Sequence, residues 1–134
     1  MRLFTSDGNR IVDIGSYEIW HCLYSTVAVR LQDYKNTVPN AFQFLKSGEC
    51  LHMRAMETAR EINLVRDRLA GVSPDDAVYD VNNLDMVAPW KGRLSPVITS
   101  CNTMFTTSDG KDLLYEIVSI LCYAGTKKVN VELQ

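Results

Sequence analysis

The chain has 134 residues, of which 46% are hydrophobic and 22% are charged, and its formal net charge at pH 7 is −2. This length is typical of one domain around one core, so residues 1–134 are expected to form a single domain. The small negative charge excludes a general attraction to nucleic acid or to an anionic membrane, so neither is expected as a partner. The sequence also lacks an apolar run of the roughly 20 residues that a membrane helix needs.

Four cysteines, at positions 22, 50, 101 and 122, lack the close spacing of a disulfide framework. We therefore expect free, mostly buried thiols in a reducing compartment. The amino-terminal segment reaches the turn-forming pair Asp7-Gly8 before a signal-peptide hydrophobic region could develop. Together these features predict a cytoplasmic protein.

The first third of the chain predicts a short strand followed by a helix. A β-branched run at 11–14 lies between turn signals, as in a brief strand. Apolar residues then recur at helical spacing from Ser16 to Asp33, and Ser16 is a candidate N-cap. Pro39 cannot lie inside a helix, so residues 34–40 are expected to form a loop.

A second helix is predicted by one apolar stripe, and most charged residues of this segment, Glu61 among them, are expected on its other faces. Gly71 is expected to end this helix. The stripe consists of Leu51, Ala55, Ala59, Ile62, Val65 and Leu69.

Beyond the second helix, the pattern predicts a turn at 73–76, a strand at 77–81 and an irregular stretch at 82–96. A long loop in a small domain is often functional, which directs attention to this stretch. A further strand is predicted at 103–107, and the stretch 108–112 offers Asp109 and Asp112 as helix caps.

The chain then ends in a third helix and a strand. The third helix is predicted from Leu113 to Gly125, and alternating residues at 129–133 predict the last strand. The expected fold class is therefore α+β, with three main helices packed on a small, mainly antiparallel sheet.

An enzyme is the weaker interpretation, because His21 and His52 are the only histidines and neither lies in a catalytic motif. His21 is expected to be a boundary or core residue. Cys50 and His52 form a Cys-x-His pair, but a structural zinc site needs four ligands with paired spacing. No catalytic residue, metal or cofactor is therefore predicted, and a small enzyme using Cys50 or His52 remains a third alternative.

Three stretches resemble one family of bacterial proteins. They are Val78-Tyr79-Asp80, Ala88-Pro89-Trp90, and the string Phe105-Thr106-Thr107-Ser108-Asp109-Gly110-Lys111-Asp112-Leu113. Together with Val12-Asp13-Ile14-Gly15-Ser16-Tyr17 they resemble the immunity protein 70 family. The resemblance implies a cytosolic protein of a polymorphic toxin or contact-dependent growth inhibition system. Such a protein binds and neutralises a cognate toxin domain, often the carboxy-terminal nuclease domain of a large secreted toxin.

A candidate toxin interface lies in the segment from Asp75 to Arg93, because four carboxylates and no lysine or arginine occur between Asp75 and Trp90. A nuclease groove is basic, so an acidic face would speed association with it. Alternatively, Asp75 and Asp76 only cap a turn, and Trp90 fills the core. The candidate contact residues are Asp75, Asp76, Asp80, Asp85, Trp90, Lys91 and Arg93.

Two further possibilities stay open at the level of the sequence. Asp7 and Asp13 could extend the acidic interface. Alternatively, the chain could be an assembly module that forms a homodimer through a helix face and meets no toxin.

Overall fold

Five helices and a four-stranded antiparallel sheet make up the part of the chain that the computed structural model describes, residues 1–31, 33 and 36–134. This architecture confirms the α+β class, with four longer helices where the sequence predicted three. The helices are α1 (Tyr17–Arg30), α2 (Pro39–Ser47), α3 (His52–Leu69), α4 (Cys101–Met104) and α5 (Leu113–Lys127). The strands are β1 (Arg2–Thr5), β2 (Ile11–Asp13), β3 (Glu49–Cys50) and β4 (Val131–Leu133).

The sheet has the strand order β2-β1-β4-β3, so its central pair joins the two ends of the described chain. Leu3 lies opposite Leu133, and Thr5 lies opposite Val131. The predicted strands at 11–14 and 129–133 correspond to β2 and β4. The strands β1 and β3 were not predicted.

The helices α3 and α5 pack closely because Gly125 has no side chain. A Cβ atom at Gly125 would lie 2.6 Å from Cγ of Met56. Gly125 lies inside α5, so the prediction that this glycine ends the helix is wrong. The helix continues to Lys127, and Lys128 follows with a left-handed φ of 57°.

The helix α2 corrects two expectations. Pro39 is its first residue, a position where the missing N–H needs no partner, so the proline begins a helix within the range 34–40 that the sequence predicted to be a loop. Glu61 was expected on an outer face but is only 1% exposed. Its Oε1 accepts hydrogen bonds from the backbone N–H of Asn40 at 2.8 Å and of Ala41 at 3.2 Å. The carboxylate of α3 thus caps the amino terminus of α2.

The predicted strands at 77–81 and 103–107 are wrong. Residues 77–81 pair with no strand in the part of the chain that the structure describes, and Cys101–Met104 forms the single turn α4. Asp112 is the N-cap of α5, and its carboxylate accepts a hydrogen bond from the backbone N–H of Tyr115 at 3.2 Å. Ser16 occupies the N-cap position of α1 as predicted, although its side chain makes no capping hydrogen bond.

Gly48 and Gly92 offer a matched pair of substitutions, because their φ angles are 76° and 78°. A Cβ at Gly48 would lie 2.7 Å from Cβ of Leu133, whereas a Cβ at Gly92 meets nothing within 4 Å. We expect Gly92→Ala to lower the free energy of unfolding by about 1–2 kcal/mol through backbone strain alone. Gly48→Ala adds the clash and is expected to lower it by about 3 kcal/mol. Urea unfolding followed by circular dichroism measures both, and equal losses would show that Leu133 yields without penalty.

Candidate protein-binding surface

Residues 76–81 are held against α1 by hydrogen bonds from side chains. The hydroxyl of Thr26 accepts the backbone N–H of Val78 at 3.0 Å, and that of Ser25 accepts the backbone N–H of Val81 at 2.9 Å. Both hydroxyl residues are fully buried. Buried backbone groups need partners, so these bonds take the place of a strand ladder. They explain why a stretch with strand propensity is not a strand.

His21 and Asp80 make a third point of this attachment. Nε2 of His21 lies 3.0 Å from Oδ1 of Asp80, and the same oxygen accepts the backbone N–H of Asn82 at 2.9 Å. These bonds, that to His21 first, hold the pKa of the Asp80 carboxyl below its usual range. The imidazole also stacks on the ring of Tyr17, with 5.5 Å between centroids. His21 is a boundary residue, as the sequence predicted, and Asp80 is engaged within its own chain.

Residues 82–97 are attached differently. Among the residues that the structure describes, every hydrogen bond of this stretch joins groups no more than three positions apart. The stretch is a series of turns, the first two closed by the backbone N–H groups of Asn83 and Met86. It rejoins the core where the N–H of Cys101 donates to the carbonyl of Val72 at 2.8 Å. The irregular loop predicted at 82–96 is therefore confirmed.

Trp90 anchors this loop and is half-buried. Its ring meets the ring of Tyr79 edge-on, with 5.6 Å between centroids. One side of the indole borders a groove of about 210 Å³ whose walls include Phe105. The other side borders a small depression that it shares with Asp75 and Lys91. Trp90 thus packs against the core, yet keeps part of its ring at the surface.

The remaining candidate residues are distributed along the same surface. Asp75 and Asp76 are exposed in the 3-10 turn Pro74–Asp76, where the hydroxyl of Ser73 accepts the N–H of Asp75 at 3.3 Å. Asp85 is exposed in the second turn of the loop. Lys91 and Arg93 are exposed at its far side. Asp80 is the one candidate carboxylate that points into a contact with α1.

Asp7 and Asp13 belong to other parts of the molecule. The carboxylate of Asp7 accepts hydrogen bonds from Thr5 and Tyr123, and such bonds lower its pKa to about 2. Asp13 accepts the backbone N–H of Gly15 at 3.0 Å. In the described residues, no hydrogen bond or ion pair joins either carboxylate to the stretch 75–93.

Exposed apolar side chains on the loop were missed by the sequence analysis. Leu84, Met86 and Val87 are 66%, 47% and 61% exposed, and Val97 is 82% exposed. Large apolar residues in a sequence are usually expected to lie in the core. For Leu84, Met86 and Val87, the signal available in the sequence was their position just after the turn-forming pair Asn82-Asn83.

The three buried thiols are poorly suited to chemistry. All four cysteines are free, and three are buried. Burial raises the pKa of Cys22 to about 11 and that of Cys101 to about 12. A thiol is nucleophilic only as its thiolate, so these groups are inert near neutral pH. Burial also raises the pKa of Cys50, whose sulfur lies 3.6 Å from the hydroxyl of Thr58.

Residues 1–31, 33 and 36–134 offer neither a metal site nor a membrane-spanning helix. In these residues no three His, Cys, Asp or Glu side chains gather into a group able to hold a metal ion. None of the helices in this part of the chain combines the length and apolar composition needed to cross a membrane.

Substitutions of Thr26 test how residues 76–81 are attached to α1. Its hydroxyl donates to the carbonyl of Cys22 at 2.7 Å while it accepts from Val78. Thr26→Val keeps the shape but leaves the buried N–H of Val78 unpaired, so we expect the free energy of unfolding to fall by about 1–3 kcal/mol. Thr26→Ser keeps the hydroxyl and is expected to retain the slow amide exchange of Val78. Hydrogen exchange measured by NMR would contradict the attachment if Val78 stayed equally protected in both variants.

An α+β domain with an exposed loop of carboxylates and apolar side chains has the features of a protein-binding module. The family model described as Immunity protein 70 matches residues 5–133, and the chain therefore belongs to the immunity protein 70 family. Membership implies an immunity protein whose partner is a toxin. No curated protein and no solved structure is similar enough to the chain to add to this assignment.

Proposed function

We propose that this immunity protein neutralises a cognate nuclease toxin by stoichiometric binding in the cytoplasm of the bacterium that produces it. The toxin would be the carboxy-terminal domain of a large secreted protein in a polymorphic toxin or contact-dependent growth inhibition system. The chain itself would catalyse no reaction and need no cofactor. The family match over residues 5–133 is the observation that carries this proposal.

The acidic stretch supports a nuclease as the kind of toxin. Asp75, Asp76 and Asp85 are exposed, and no lysine or arginine lies between Asp75 and Trp90. A nuclease binds a polyanion and therefore has a basic groove, which attracts carboxylates over a range of about 10 Å at 0.1 M salt. Complementary charge of this kind mainly raises the association rate. The stretch from Asp75 to Arg93 is accordingly our candidate for the face that meets the toxin.

Co-expression with the toxin domain encoded beside this gene tests the function. Cells that make the toxin domain alone are expected to stop growing, and cells that also make this chain are expected to grow. The two purified proteins should then elute together with equal stoichiometry. A toxin domain that kills equally well in both strains would contradict the proposal.

Charge reversal tests the acidic face. Asp75→Lys with Asp85→Lys is expected to slow association about 10-fold or more at low salt, with a smaller difference at high salt. Asp80 is left unchanged because its reversal would also break the contact with His21. Asp67→Lys with Glu132→Lys is the matched control, since both carboxylates are exposed elsewhere on the molecule. Equal rates for the two double variants would exclude the stretch as the steering surface.

Homodimerisation is the second candidate, and exposed apolar residues at the start of α3 favour it. Leu51, Met53 and Met56 are 54%, 73% and 54% exposed. An assembly module would bury them against a second copy. Sedimentation equilibrium decides this point, because a species that stays at 15.1 kDa at high concentration would exclude the dimer.

A further inference from the structure

We propose that the turn at residues 83–87 is the part of this protein that inserts into the toxin surface, with Leu84, Met86 and Val87 as its apolar contacts. We call these five residues the apolar tip. The inference rests on the proposed function and adds the contact that would supply affinity, as distinct from the carboxylates that would supply association rate.

The apolar side chains of the tip are exposed. Three large apolar side chains fall within four consecutive positions, and each is about half or more exposed. Apolar residues scattered singly over a surface are ordinary, but a contiguous group marks an interaction site. Asp85 lies in the middle of the group and is exposed as well.

The segment that precedes the tip is fixed to α1. Only Asn82 separates the tip from residues 76–81, which are fixed to α1 through Thr26, Ser25 and His21. The backbone N–H of Met86 closes the turn onto the carbonyl of Asn83 at 3.1 Å. A projecting turn on a fixed base loses little conformational entropy when it binds, which favours affinity.

The charge around the apolar tip indicates which kind of partner it contacts. The exposed carboxylates Asp75, Asp76 and Asp85 outnumber the exposed cations Lys91 and Arg93 on this surface, so a partner that is apolar at the centre and basic around it fits best. A second copy of this chain fits less well, because a two-fold axis would bring together two surfaces that each carry an excess of carboxylates. Nucleic acid is excluded by the same negative charge. A basic protein surface with an apolar depression, as on the proposed nuclease, satisfies both requirements.

A pair of triple variants tests the tip. Leu84→Ser, Met86→Ser and Val87→Ser together remove its apolar atoms and leave every carboxylate in place. Leu51→Ser, Met53→Ser and Ile11→Ser form the control, since those side chains are similarly exposed elsewhere on the molecule. The tip variant is expected to bind the purified toxin domain at least about 30-fold more weakly, through faster dissociation. The control variant is expected to bind like the wild type.

The outcomes separate this inference from the function on which it rests. If the wild type neither binds nor protects against the toxin domain, the proposed function fails and the tip loses its partner. If the wild type binds and the tip variant binds equally well, the inference is overturned and the function stands. Hydrogen exchange of the wild-type complex gives a readout that needs no variant. Amides of residues 83–87 should become protected on binding, and unchanged exchange there would overturn the inference.

Discussion

Replacing Glu61 by alanine is expected to lower the free energy of unfolding by about 3–5 kcal/mol. The carboxylate is fully engaged, with two backbone N–H groups on Oε1 and the side-chain amide of Asn40 on Oε2 at 2.7 Å. Its removal leaves these donors unpaired at the buried start of α2, where the helix dipole also favours a negative charge. Urea unfolding followed by circular dichroism measures the loss.

Glu57 is the control for this prediction, because it lies one turn earlier on α3 and is exposed in an ion pair with Arg60. Glu57→Ala is expected to change stability by about 0.5 kcal/mol or less. Glu61→Gln should fall between the two, since a glutamine keeps one acceptor oxygen. A Glu61→Ala variant as stable as Glu57→Ala would show that water replaces the carboxylate.

Replacing Trp20 by alanine is expected to have a similarly large effect, about 3–5 kcal/mol. Trp20 is 3% exposed and joins α1 to α2. Its indole N–H donates to the carbonyl of Leu45 at 2.9 Å, and its ring meets Phe44 edge-on at 5.6 Å. The variant therefore loses apolar burial and leaves a cavity between the two helices. Thermal and urea unfolding both report the loss.

Two further variants separate the contributions of Trp20. Trp20→Phe keeps a ring but not the donor, so about 1–2 kcal/mol is expected from the unpaired carbonyl and the smaller side chain. Tyr115→Ala removes an exposed aromatic residue from α5 and is expected to change stability by about 0.5 kcal/mol or less. Equal losses for Trp20→Ala and Trp20→Phe would show that the six-membered ring retained by phenylalanine contributes nothing to stability.

The long helices were predictable because each buries one continuous stripe. The periodicity of α1, α3 and α5 follows from burial of one helix face, and that pattern is visible in the sequence. The helix α2 was missed for a local reason. Its buried residues Ala41, Phe44 and Leu45 do have helical spacing, but Pro39 was read as a break although it is the first helical residue.

The strands and the stretch 77–81 show where local pattern fails. The strands β1 and β3, of four and two residues, were missed because they are too short and irregular for a period-two pattern to be recognised. Residues 77–81 have strand propensity, but Thr26 and Ser25 supply their backbone partners. A partner more than 50 positions away cannot be inferred from a pattern within a few residues.

The candidate surface was predictable in composition and not in geometry. The run of carboxylates between Asp75 and Trp90 is visible in the sequence. The sequence does not reveal that Asp80 pairs with His21, because the two residues meet only once the loop folds onto α1. Nor does it reveal that Leu84, Met86 and Val87 face outward, since apolar residues are more often buried.

The pairing of β1 with β4 has a consequence for protein synthesis. On the side away from β2, residues 3–5 pair with residues 131–133, so the nascent chain cannot complete the centre of the sheet until the segment 131–133 has left the ribosome. Such distant pairing also slows folding itself. A chain still in synthesis therefore lacks the centre of its sheet, and the domain can be completed only after translation has passed residue 133.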